Sequence, residues 1–118
     1  MDRIELEQRT KAFALRVIRF VADLPKNRVN DVLSYQLLKA GTSIGANYRE
    51  ANRAVSRNDF INKIGIAEKE AAETEYWLQL FDETSESRTD QLQWLLQECG
   101  ELLAIFVSIG KTAKANRA

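Results

Sequence analysis

The sequence holds no histidine, which removes the commonest general base and the commonest metal ligand. Its single cysteine, Cys99, rules out an intramolecular disulfide, and a reduced, cytoplasmic setting is the natural expectation. One proline and five glycines in 118 residues are too few for the turns of an all-β protein. Net charge is zero, with 17 Lys plus Arg against 17 Asp plus Glu, so the strongly basic total usual for a nucleic-acid binder is missing. Long hydrophobic runs are missing too. The most apolar stretch, 102–109, is less than half of what spans a bilayer, and the start, MDRIELEQRT, has no apolar signal segment. Neither a signal peptide nor a membrane partner is expected.

What remains is a chain that is 45% apolar and 29% charged, the make-up of one compact soluble domain over residues 1–118. Its apolar residues recur at helical spacing. Phe13, Val17, Phe20, Val21 and Leu24 predict a first helix over about residues 5–24, ended by Pro25, which disfavours helical geometry at the residue before it. Ser56-Arg57-Asn58-Asp59 and Ser87-Arg88-Thr89-Asp90 each set a serine three residues before an aspartate, a pattern that starts helices. Between the breaks, Leu33, Leu37, Ala40, Ile44, Tyr48, Ala51 and Val55 form one stripe. Leu92, Leu95, Cys99, Leu102, Phe106 and Ile109 form another. The most regular stripe is Phe60, Ile64, Ala67, Ala71, Thr74, Leu78 and Phe81, stepping by four and three. Four helices of about 20 to 27 residues joined by short loops must run antiparallel to their neighbours. The expected fold is all-α, an antiparallel up-down-up-down four-helix bundle, with residues 111–118 fraying.

Few constellations carry chemistry. Glu68, Glu70, Glu73 and Glu75 crowd the third helix, but a di-metal carboxylate site also needs histidine, and these residues lie off the core stripe. Cys99 lies on a core stripe with no histidine to activate it, and reads as a small buried hydrophobe. The small-residue run Ala40 to Ala46 lacks the ending of a phosphate loop; Gly41 and Gly45, one turn apart, suit close helix packing instead. No catalytic residue, metal or cofactor is assigned.

Two features exceed what a solitary bundle needs. A second seam on the third helix, Ile66, Lys69, Glu73, Tyr76 and Leu80 with Trp77 beside it, points to self-association. Charge is also segregated: residues 1–57 carry a net +5 and residues 58–118 a net −5. At about 100° per residue, Lys39, Arg49, Arg53 and Arg57 share roughly an 80° arc opposite the core stripe of the second helix. Arg9, Arg16 and Arg19 cluster on the first helix. Such stripes can track the phosphates of RNA or DNA, meet an acidic helix of a neighbouring copy, or simply solvate.

The runs QLLKAGTSIGANYREA (36–51), SRNDFINK (56–63) and KEAAETEYWL (69–78), with the opening RTKAFALRVIRFVADLP, resemble the family of small bundle proteins encoded by intervening sequences in bacterial 23S rRNA genes. The resemblance implies a four-helix bundle assembling into a ring-shaped homopentamer, without established enzymatic activity. The accessory variability protein of diversity-generating retroelements is similar in fold and assembly, and there a basic surface serves reverse transcriptase and nucleic acid. Carried over by position, the characteristic residues are Gly41, Ser43, Gly45, Asn47, Arg49 and Glu50 on the second helix. On the third they are Asp59, Phe60, Lys69, Glu70, Glu73, Tyr76 and Trp77. They read first as a packing and pairing code, in which a basic second helix meets the acidic third helix of the next copy and closes a ring. The rivals are a small-ligand binder or enzyme using Glu70, Glu73 and Tyr76 in an intersubunit cleft, and a protein adaptor.

Overall fold

The computed structural model describes residues 1–84 and 89–116 and consists of four helices: α1 (Arg3–Ala22), α2 (Arg28–Asn52), α3 (Arg57–Thr84) and α4 (Asp90–Ala115). Each helix starts where a short polar side chain satisfies a backbone N–H that has no partner within the helix. Asp2 accepts from Glu5 N at 2.8 Å, and Asn27 from Asn30 N at 2.8 Å. Ser56 Oγ accepts from Asp59 N at 3.1 Å, while the Asp59 carboxylate accepts from Val55 N, one residue before the cap, so the expected start of α3 is held from both sides. At α4 the cap is Thr89, which accepts from Leu92 N at 3.1 Å. The expected Ser87 cap lies outside the described residues, and Thr89 does its work closer to the first apolar residue.

Four boundaries differ from the sequence expectation. Helix α1 begins earlier, at Arg3, and stops at Ala22, with Asp23 as its C-cap, so Pro25 acts a residue or two further upstream than its direct constraint on Leu24. Helix α2 ends at Asn52, leaving Val55 outside the helix and 93% exposed rather than on the core stripe. Helix α4 does not fray at Lys111: it runs to Ala115, with Ala113 buried and Asn116 as C-cap.

The direction of each helix follows from which residues meet. Gly41 faces Val17 and Gly45 faces Thr10, so α1 and α2 are antiparallel. Arg9 reaches Glu98 and Arg16 covers Trp94, which sets α1 against α4 in the same sense. Ile64 lies by Gly110, and Asp82 accepts from Gln93, giving α3 against α4. Diagonal partners close the core: Phe20 meets Phe81 edge to face at 5.4 Å, and Tyr48 meets Phe106 at 5.5 Å. Among the described residues this is the all-α, up-down-up-down bundle that the periodicities predict, about 51 Å long and 20 Å across.

The core holds most of the stripes read from the sequence, with Leu6, Thr10, Ser34, Ile61 and Ala113 added, while Val21, Leu24, Leu33, Phe60 and Ile109 are only half-buried and Val55 lies outside it. By length and composition α4 is apolar enough to cross a membrane, a property hidden in the sequence because its apolar residues are interleaved with polar ones. In the bundle Leu92, Leu95, Cys99, Leu102 and Phe106 are core residues, each at most 1% exposed. Between α1 and α2 the backbones approach closely. A Cβ at Gly41 would lie 3.2 Å from Val17 Cγ2, and one at Gly45 would lie 2.9 Å from Thr10 Oγ1. The small-residue run is therefore a packing device, as its spacing suggests.

Candidate functional site

The basic stripe is split by the end of α2. Lys39 and Arg49 lie on the exposed face of that helix and Arg53 is its C-cap residue, all three solvent-exposed. Arg57 is also exposed, but it is the first residue of α3, reached by a non-helical connection, so the continuous arc computed for one helix does not extend to it. Among the described residues none of these four cations joins an ion pair. They lie along α2 and around its C-terminal end, with the exposed carboxylate of Glu50 between Arg49 and Arg53 in sequence.

The arginines of α1 behave differently. Arg9 donates through Nε and Nη2 to the two carboxylate oxygens of Glu98, both at 2.7 Å, and through Nη2 to Glu101 at 2.9 Å. Its protonated form is stabilised further by those hydrogen bonds, against the cost of its partial burial. Arg16 lies over the Trp94 ring, 4.2 Å from the centroid. Both are committed to α4. Of the three, Arg19 stays exposed with no ion pair among the described residues.

On α3 the second seam faces away from the core. Ile66 is 40% and Tyr76 53% exposed, with Lys69 and Glu73 exposed between them. Leu80 is half-buried, and Trp77 packs against the core while meeting Tyr76 edge to face at 5.0 Å. Burial and the neighbouring Glu73 carboxylate push the Glu70 carboxyl above its usual range, against the opposing pull of Lys69 and Lys39. The exposed part of the seam is thus Ile66 and Tyr76 with Lys69 and Glu73 between them.

Other groups carry structural roles. The Cys99 thiol is buried, donates to Ala71 O at 3.3 Å and is pushed up to about 12 by burial, so its nucleophilic thiolate is suppressed. Among the described residues no three His, Cys, Asp or Glu side chains converge as metal ligands would. A cleft of about 720 Å³ opens at the end of the bundle, lined by Phe20, Leu24, Phe81 and Leu92 together with polar Asp23, Asn27, Asn30 and Gln91.

The sequence reading missed one surface. Ile4, Leu15 and Ile18 are 60%, 44% and 46% exposed on the outer face of α1, and Val29, Val32 and Tyr35 are exposed in the first turns of α2. The signal was available: Ile4, Lys11, Leu15 and Ile18 step by seven, four and three, a second stripe opposite the core stripe. It was eclipsed by the arginines on the same helix.

A family profile described as 23S rRNA-intervening sequence protein matches residues 2–108. Among solved structures, the chain is similar to a protein with unknown function from the S23 ribosomal protein family of Bacteroides thetaiotaomicron. The two are 40% identical with a TM-score of 0.84, the alignment covering 94% of this chain and 99% of that one. No curated protein matches.

Proposed function

The chain belongs to the 23S rRNA-intervening sequence protein family, and from that premise we propose that it is a non-enzymatic, homo-oligomeric scaffold, pentameric as the sequence resemblance implies, that associates with nucleic acid in the cytoplasm. The outer face of α3 carries this reading. Ile66 and Tyr76 stand exposed on a protomer whose core is already complete, and a regular apolar seam on a finished bundle is the mark of a surface that meets another chain. The partner in assembly is a second copy.

The nucleic-acid part rests on Lys39, Arg49, Arg53 and Arg57, exposed and without ion pairs among the described residues. Cations that form no ion pair with the protein's own carboxylates can displace counterions from a phosphate backbone. Contacts of this kind are largely blind to sequence, so structured RNA and duplex DNA are both substrates for binding. Assembly multiplies the effect, because each added copy brings the same stripe.

The test is titration of structured RNA and duplex DNA at several salt concentrations, alongside solution mass by light scattering. The expected result is an oligomer whose affinity falls steeply with salt, the slope shrinking by about one unit for each phosphate contact removed in Arg49→Ala, Arg53→Ala and Arg57→Ala. No binding at low salt, or an unchanged slope, removes the nucleic-acid role. A monomeric mass removes the scaffold.

A further inference from the structure

We propose that the outer face of α1 is the surface on which the α3 seam of a second copy docks, so that each protomer presents one face of a head-to-tail contact on α1 and the other on α3. This inference deepens the homo-oligomer reading and rests on it. The first argument is apolar matching. Between Lys39 and Arg53 the outward face of α2 offers no large apolar side chain to cover Ile66 and Tyr76, whereas α1 presents Ile4, Leu15 and Ile18, each at least 44% exposed.

The second argument is height. Helices α1 and α3 run in the same direction, and the Phe20–Phe81 ring contact places these two residues, 61 positions apart, at similar heights along the bundle. Ile4 then stands near the height of Ile66, Lys11 of Glu73, Leu15 of Tyr76 and Ile18 of Leu80, each pair 61 or 62 positions apart. A cyclic assembly about an axis along the bundle keeps every copy at one height, so it brings these residues together without any slip.

The third argument is charge. Lys11 sits between apolar residues of the α1 stripe as Glu73 does in the α3 seam, and both are exposed. Arg19 and Glu83 flank the two stripes near the same end with the same complementarity. At about 100° per residue both stripes lean toward the α2 side of their helices, Ile18 furthest on α1 and Ile66 furthest on α3. Successive copies therefore curve instead of adding in a straight filament, as a closed ring requires.

The test is disulfide trapping in the full chain, whose own Cys99 is buried. Leu15→Cys and Tyr76→Cys proteins, co-refolded and oxidised, are expected to form a covalent dimer that neither forms alone. The double variant is expected to give a covalent ladder ending at the native mass. Lys11→Glu is expected to weaken assembly by about tenfold, and Lys11→Glu with Glu73→Lys to restore it. Tyr76→Cys cross-linking to itself, or a native oligomer without the Leu15–Tyr76 bond, overturns the α1–α3 contact while leaving the scaffold reading standing. A monomeric wild type overturns both, and failure of the charge swap to rescue counts against the pairing.

Discussion

Helix α1 is held on two sides by opposite means. Toward α2 the contact is made by what is missing: Gly41 and Gly45 let the backbones close until Val17 and Thr10 fill the space their side chains would take. Toward α4 the contact is less extensive, and long polar side chains bridge it, with Arg9 forking onto Glu98 and reaching Glu101 while Arg16 stacks on Trp94. Close packing depends on shape and is insensitive to salt. A charged staple depends on protonation and screening. The difference shows that one bundle can have a rigid seam and an adjustable one on the same helix.

The sharpest way to break the comparison is Gly45→Val. Thr10 is fully buried and its hydroxyl donates to Leu6 O and Glu7 O, so it cannot swing aside from a new branched side chain. The expected cost is about 3 kcal/mol by chemical denaturation. Gly45→Ala is milder, because Ala gains roughly 1 kcal/mol of helix propensity against the clash, and Thr10→Ala relieves part of what remains. Additive double-mutant energies would show that the two residues do not press on one another.

Loosening the other seam costs less. Arg9→Ala leaves Glu98, whose side chain is only 13% exposed, without its forked partner. The expected loss is about 1 to 2 kcal/mol, and Arg9→Lys recovers the charge but not the fork. Raising salt shrinks the Arg9 effect and leaves the Gly45 effect unchanged. A third comparison concerns glycines that nothing crowds. At Gly100 the nearest atom to a new Cβ is a Glu75 carboxylate oxygen at 3.8 Å, an ordinary contact. Gly100→Ala is therefore expected to stabilise by about 0.5 to 1 kcal/mol, opposite in sign to Gly45→Val on α2.

The rigid seam was legible in the sequence and the adjustable one was not. Small residues one turn apart announce a close approach wherever they fall, and the stripes of α3 and α4 announce a core, because both depend on local periodicity. The Arg9–Glu98 pair spans 89 positions, and no spacing rule connects them. Arg9 and Arg16 accordingly looked like free cations beside Arg19. Val55 looked like a core residue because no glycine or proline marks the end of α2. The outer stripe of α1 was legible as a periodicity, Ile4, Lys11, Leu15 and Ile18, while the assembled bundle shows that its apolar members stay exposed.

The smallest effect distinguishes the seams by acid. Hydrogen bonds from Gln97 and Arg9 hold the Glu101 carboxyl below its usual range, so its contribution to stability is present above the unfolded value near about 4.3 and disappears as pH falls through the lower, folded value. Glu70 has the opposite sign: with its folded carboxyl raised, ionisation costs stability as pH climbs through the carboxylate range. Thermal scans from pH 3 to 7 should therefore show Glu101→Gln falling progressively below wild type and Glu70→Gln rising slightly above it, both differences vanishing in acid. Gly45→Val should stay at a nearly constant distance throughout, because the Gly45–Thr10 contact itself contains no titrating group. If the Glu101 difference ignored pH, its role would be that of a spacer, and the α1–α4 seam would be held by Arg16 on Trp94 and by Glu98 alone.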